Sequence, residues 1–351
     1  MKRHLKLISL FLFIVVASCN EPETIVTNYV HRDGSITRKI EMRNAEKPEF
    51  KTSDRQVPFD STWIIRDSLE INTKGDTTWI RTAEKTFLVI EALNLSYKLD
   101  SGANAKYTRY VSFEKKFRWF NTTYRFSENI DKILEFGYPV RNFLNKDELA
   151  FFYSPQSLIE KYLAGADSLK YKALNDSVRQ KTDIWMIKSI IFVWIGQLGK
   201  LTADKVTGQM IPELRQNEDR IYNQLVFKYK DSIDSLWKEG VIQKDFLGEE
   251  NAELFKAEAD SAAEYAINGF FNDFRSYHLQ TVMPGRLTGT NGFADTANVL
   301  LWPVNSVYFT TEPYEMWAES KVVNVWAWII SGMFILFVMT GFILRATKKA
   351  E

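Results

Sequence analysis

A chain of 351 residues with 45 Lys and Arg against 44 Asp and Glu carries a net charge of +1. That balance excludes a general nucleic-acid binder, which needs a basic excess to release counterions. A single cysteine, Cys19, excludes an intrachain disulfide, and three histidines, His4, His31 and His278, exclude a histidine-rich metal centre. Aromatic residues make up 14% of the chain, which suits a β-containing core or a surface that meets a membrane.

In chain order, Met1 to Lys6 is a positively charged start and Leu7 to Val16 an apolar run interrupted only by Ser9, so residues 1–18 are predicted to be a targeting signal and are set aside from the fold. Val16-Ala17-Ser18-Cys19 resembles the bacterial lipobox. In that family the cysteine is diacylated and becomes the first residue after cleavage. The resemblance implies lipid on Cys19, with 19–23 as lipidated terminus and linker.

Thr24 to Met42 reads as a β-hairpin about the Asp33-Gly34-Ser35 turn. Residues 43–60, with Pro48 and Pro58, read as a loop. Thr62–Ile71 and Thr77–Val89 read as strands about Lys74-Gly75-Asp76, and Glu91–Leu99 as a further strand. Tyr107–Phe126 is one long strand or a hairpin. Its aromatics change parity between Trp119 and Phe120, which predicts a bulge or turn there.

From residue 128 helical signals take over. Asn145 with Glu148 three residues on has the form of a capping box, and Pro155 suits a first helical turn. Helices are predicted over 167–201, where Ile184–Ile195 is almost wholly apolar, over 217–238, where Ile221, Leu225, Tyr229, Ile233 and Trp237 share a face, and over 245–275. Strands return at Tyr277–Val282, Val299–Trp302 and Ser306–Thr311, with turn markers at Pro284-Gly285 and Asn291-Gly292. The order predicts an α+β domain over 24–321: a mostly antiparallel single sheet of early and late strands with a helical block, 128–275, inserted.

Val325 to Leu344 has no charged residue and, at roughly 1.5 Å per residue, reaches roughly 30 Å, the depth of a bilayer core. Residues 322–344 are predicted to be a transmembrane helix and 345–351 a cytoplasmic tail, with Arg345, Lys348 and Lys349 obeying the positive-inside rule. Trp326 and Trp328 fall where an outer aromatic belt lies, and Ala327 with Ser331 offers a small-residue packing face. A spanning helix decides the membrane, so the expected place is the cytoplasmic membrane, single-pass, with the bulk of the chain on the periplasmic side. The short tethers at both ends predict that both ends of the domain sit close to the bilayer.

No nucleophile elbow, phosphate loop or dinucleotide fingerprint occurs, so neither an enzyme nor a cofactor is expected. His31 reads as a solvated turn residue, His278 as structural, and Glu249-Glu250 as a solvated helix face. Two stretches are candidate ligand or membrane surfaces. In Lys115–Arg125, Phe117 and Trp119 either clamp lipid head groups or sugars, or belong to a strand with one buried aromatic face. In Ile184–Ile195, Trp185 and Trp194 either face lipid or lie in a core helix.

Pro284-Gly285, Thr290-Asn291-Gly292, Trp302 and Ala318-x-Ser320 followed at once by an apolar helix, together with the lipobox and the Asp33-Gly34-Ser35 hairpin, resemble the LppM-like envelope lipoproteins over residues 1–45 and 282–351. The resemblance implies an extracytoplasmic α+β domain that binds lipid without catalysis. The block at 128–275 departs from that family's pattern. Two functions are therefore expected as alternatives. One is non-catalytic binding of lipid or hydrophobic cargo at the membrane surface. The other is a scaffold or assembly subunit with a membrane-protein partner.

Overall fold

The structure, a computed structural model, describes residues 23–45, 49–205, 208–230, 232–295 and 299–350, with the side chains of 346–350 left aside. The signal segment and Cys19 lie outside the described residues.

The first hairpin forms as the turn chemistry dictates. Strand β1 (Glu23–Val30) pairs antiparallel with β2 (Ile36–Asn44), and Gly34 supplies the positive φ of the turn. A second hairpin, β3 (Ile64–Ile71) and β4 (Thr77–Phe87), turns at Gly75, where the Asn72 side chain accepts from the N–H groups of Lys74 and Asp76. A third, β5 (Arg109–Arg118) and β6 (Asn121–Ile130), turns at Trp119-Phe120, where the aromatic parity changes. Glu91–Leu99 is a helix, α1 (Ile90–Lys98), and not a strand: its buried residues Leu93 and Tyr97 are four apart, one helical turn.

The strands form two sheets rather than one. Seven strands run β3-β4-β2-β1-β7-β10-β9, with β7 (Tyr277–Val282), β9 (Phe293–Ala294) and β10 (Leu300–Val304). All pairs are antiparallel except β1 with β7. Four more run β5-β6-β11-β8, wholly antiparallel, with β8 (Arg286–Thr290) and β11 (Tyr314–Val323). Ser306–Tyr308, expected as strand, is a turn of 3-10 helix headed by Asn305. The inner faces of the two sheets pack through Val26, Ile36, Ile40, Phe126, Trp302 and Met316, all buried.

A second core belongs to the helical block. It comprises α2 (Lys146–Phe152), α3 (Gln156–Ala164), α4 (Ser168–Leu201), α5 (Met210–Gln216), α6 (Glu218–Asn223), α7 (Ile233–Lys238), α8 (Val241–Leu247), α9 (Glu249–Leu254) and α10 (Lys256–Phe270). Asn145 and Glu148 close the expected capping box at α2. The predicted helices over 217–238 and 245–275 are each broken. A π turn at Gln224–Lys228 follows α6, and Gly248, at φ +80°, separates α8 from α9. Ala259, Ala262, Ala266 and Gly269 of α10 present a low surface on which α4 lies.

Among the described residues two helices are long and apolar enough to cross a membrane: α4, and Val325–Arg345 within α11 (Val325–Ala350). Their surroundings differ. The apolar window of α4 is 39% buried, and Lys181, Lys188 and Lys200 pair with Glu148, Asp219 and Glu135 of the same domain. The window of α11 is 6% buried.

The strands give the domain a direction. β11 runs from Tyr314 to Val323 and passes through Asn324 into α11. β7 runs the same way: beyond Val282, the Pro284 carbonyl accepts from Ser320 Oγ, and Gly285 lies against Lys321. β1 is parallel to β7, so Val30 lies toward α11 and Glu23 at the far end. The two ends of the domain, expected to lie together, are therefore at opposite ends of the strands. Nine residue steps of β11, at roughly 3.3 Å each, separate the two levels by ~30 Å. Cys19 stands four residues before Glu23, a reach of at most ~14 Å.

Candidate functional site

The β5–β6 hairpin projects past the end of β11 and lies along the head of α11. Asn324 makes the join. Its Nδ2 donates to the carbonyl oxygens of Arg118 (2.8 Å) and Trp119 (3.3 Å), and its backbone N–H donates to Phe120 (3.0 Å). Its Oδ1 accepts from Thr122 Oγ1 at 3.1 Å, and its carbonyl accepts the Ala327 N–H. One residue thus serves both elements: its side chain satisfies carbonyls of the turn, and its backbone carbonyl takes an N–H at the start of the helix, where backbone groups lack intrahelical partners.

Around this join aromatic rings interlock. Phe117 stacks on Trp326 with centroids 6.3 Å apart and planes 5° apart, and Trp119 meets the same indole edge-on at 5.2 Å. Phe120 packs on Trp328 at 4.5 Å. Trp119 Nε1 donates to Ser331 Oγ at 2.9 Å, about two turns into α11. The Ala327–Ser331 face expected to pack another helix is thus occupied in cis by the hairpin tip, with Ala327 fully buried. Phe117 and Trp119 nevertheless stay 59% and 47% exposed, and Trp326 and Trp328 are exposed as well. Beside them Lys115 donates to the Arg32 carbonyl and Lys116 pairs with Glu114, whereas the Arg118 guanidinium has no partner among the described residues. Exposed indoles with polar N–H groups beside a free guanidinium are suited to the head-group level of a bilayer.

Of the four sequence candidates, Phe117 and Trp119 belong to this site. Trp185 and Trp194 do not: they are 1% and 5% exposed. Trp185 Nε1 donates to the Tyr138 carbonyl at 2.7 Å with its ring against Phe270, and Trp194 Nε1 donates to the Ala259 carbonyl at 3.2 Å. Their surface reading is corrected because the alanines of α10 and the segment before α2 cover that face of α4. Sequence reasoning missed Asn324; it placed Phe120 at a turn and Ser331 on a helix-packing face without joining them to this site. A polar residue between a strand and an apolar helix, opposite a hairpin with paired aromatics, was the available signal.

Between the sheets lies a second constellation. Arg38 and Glu128 are 1% and 0% exposed and pair at 2.6 Å. Arg38 also donates to Asn28 Oδ1 (2.7 Å) and to Tyr97 Oη (2.6 Å), and Tyr97 donates to the other Glu128 oxygen. Arg109 lies over the Tyr97 ring at 4.6 Å, pairs with Asp100 and donates to the Gln56 carbonyl. Burial works against the Arg38 charge, but the adjacent Glu128 carboxylate and Tyr97 hold its pKa above the ordinary value. Burial likewise raises the Tyr97 hydroxyl. Charge is matched within the cluster, so it clamps β2, β6 and α1 together.

Two surface hollows remain. One, of about 510 Å³, lies on the outer face of the larger sheet among Tyr29, Lys39, Ile64, Arg66, Thr82 and Glu84. The other, of about 280 Å³, is lined by Tyr138, Phe143, Lys188, Glu218 and Asp219. In the second, Tyr138 Oη donates to Glu218 at 2.5 Å and Lys188 pairs with Asp219 at 2.8 Å, so its polar groups answer one another. His31 is exposed at its turn and bonds Thr37, and His278 sits within β7, 4.0 Å from Glu23. Among the described residues no three His, Cys, Asp or Glu side chains converge as a metal site. No protein-family model, curated protein or solved structure matches the chain.

Proposed function

We propose that the protein is a non-catalytic scaffold of the bacterial cytoplasmic membrane. In this reading α11 spans the bilayer, residues 24–321 stand on the periplasmic side, and Arg345, Lys348 and Lys349 remain in the cytoplasm. The observation that carries it is the Asn324 join. A domain that only needed tethering would hang on a free linker; this one has a single residue between β11 and α11, and that residue is bonded to the Arg118–Phe120 turn on both sides. Such a join fixes the attitude of the domain to the membrane, which is what an assembly subunit requires.

A second reading, lipid binding, is favoured by the exposed Phe117, Trp119, Trp326 and Trp328 beside Arg118. These residues touch bilayer lipid at the head-group level, and the lipid they meet is the surrounding membrane rather than an extracted cargo.

The test is to insert a flexible Gly-Ser linker between Asn324 and Val325 in the full chain. The scaffold reading expects the variant to stay in the membrane but to lose cross-links to neighbouring membrane proteins. Unchanged cross-linking would reject a role for fixed attitude. Lipid retained stoichiometrically through detergent purification, read by mass spectrometry and lost in a Phe117→Ala/Trp119→Ala variant, would favour a cargo binder instead.

A further inference from the structure

The outermost strand of the larger sheet, β3, is covered on neither face. All eight of its residues are exposed, among them Ile64 (58%), Leu69 (47%) and Ile71 (63%), and among the described residues it has no neighbour beyond β4. Its outward hydrogen-bonding groups can be assigned. The Asn72 N–H donates to the Asp76 carbonyl, so in this ladder the even-numbered residues bond to β4. The N–H and C=O groups of Ile65, Asp67, Leu69 and Ile71 therefore point away from the sheet, a free edge of the kind that recruits another strand.

We infer that this edge is a self-association surface on which β3 of a second copy adds antiparallel about a two-fold axis through Ser68. The strand is self-complementary in that register alone among its neighbours. With Ser68 facing its own copy, Arg66 stands opposite Glu70 of the second copy and Ile65 opposite Ile71, each pair occurring twice. Shifted by one two-fold position, either Asp67 would face Asp67 or Leu69 would face Leu69, and in both cases the arginines would lose their acid. The Arg66 guanidinium has no ion pair among the described residues, whereas Glu70 ends a charged row, Lys39–Glu41–Arg43–Glu70, on the same face. Arg66 of one copy extends the row of the other, and directly opposed opposite charges stabilise an antiparallel pair.

The membrane permits this symmetry. Sheet strands turn by roughly 20–25° per step, so the four steps from β7 to β3 turn the edge by roughly 80–100°. β7 runs toward α11; β3 then runs across that direction, and the two-fold normal to the sheet at β3 lies near the bilayer normal. Both copies of α11 enter one membrane in one sense. The inference rests on the scaffold reading and names its first partner.

The test uses the full chain in its membrane. Across a non-hydrogen-bonded antiparallel pair the Cα atoms are about 4.5 Å apart, within disulfide range. Ser68→Cys, oxidised with copper-phenanthroline, is expected to run at twice the monomer mass on a non-reducing gel. Ile64→Cys, out of register with its own copy, is expected to match the wild type, whose one cysteine is Cys19. In the Ser68→Cys background, Arg66→Glu or Glu70→Arg alone should cut the dimer on the order of tenfold, and the two together should restore it. Equal cross-linking at positions 64 and 68, or no rescue by the double exchange, overturns the pairing. If that occurs while the linker insertion still abolishes cross-links to other proteins, the β3 inference falls alone and the scaffold reading stands.

Discussion

The indole N–H of Trp119, at the tip of a β-hairpin, bonds the hydroxyl of Ser331, 212 residues later in the chain and about two turns inside an apolar helix. Domain and helix are thereby one body. Hydrogen exchange of the reconstituted chain should report this. In Trp119→Ala or Asn324→Ala, the amides of Asn324 and Ala327 are expected to exchange on the order of tenfold faster, a loss of ~1.4 kcal/mol of local protection, while the β1–β2 hairpin is unaffected. Unchanged exchange at both amides would mean that the join contributes nothing.

The four candidate aromatics separate into two kinds, and stability distinguishes them. Trp185→Ala removes a ring packed on Phe152 and Phe270 and should cost ~3–5 kcal/mol. Trp119→Ala removes a half-exposed ring, and the global midpoint in guanidinium should barely move. Equal destabilisation would contradict the placement of Trp185 in the core.

Glu128→Gln leaves Arg38 buried without its counter-charge, and such a break costs ~3–5 kcal/mol. Replacing both, as Arg38→Met with Glu128→Leu, removes the uncompensated charge and should recover at least half of that loss, the shortfall coming from Tyr97 and Asn28 left without partners. Chemical unfolding followed by near-UV circular dichroism measures both. A double variant worse than the single one would show that the cluster acts through more than charge pairing.

Glu148 gives an acid-range signature. Lys181, the Asn145 N–H and Ser177 together hold its carboxyl at about 2, against an ordinary 4.5. Because the folded value is depressed, the contribution is complete above pH 4.5 and is lost as pH falls toward 2. Glu148→Gln keeps the shape of the capping box but removes the charge. It is expected to be ~1–2 kcal/mol less stable at neutral pH and to lose that part of the pH dependence. Parallel pH profiles for the two proteins would refute the assignment.

Gly292 has no room for a side chain: an added Cβ would stand 2.4 Å from the Trp302 ring, whose N–H is held by Asn291. Gly292→Ala is expected to cost ~1–3 kcal/mol, and Trp302→Phe should relieve part of it. Full additivity of the two changes would exclude the contact.

Local chemistry was legible in the sequence. The Asp33-Gly34 and Gly75 turns, the Asn145–Glu148 box and the parity change at Trp119-Phe120 depend on near neighbours, and each appears where its residues stand. The buried ion pair was legible too, though unread: Arg38 falls in step with Ile36, Ile40 and Met42, and Glu128 with Tyr124, Phe126 and Ile130, which places both charges on inward faces. The length and apolarity of Val325–Arg345 are properties of composition alone. Only the tertiary structure decided which sheet each strand joined, because alternation states which side is buried and not against what. It decided that Trp185 and Trp194 are covered, since the covering alanines of α10 lie some 60 residues or more along the chain. It decided that β1 starts at the end remote from α11, since strand direction comes from the parallel pairing with β7. And it brought Trp119 to Ser331, a contact across the whole fold that no local pattern encodes.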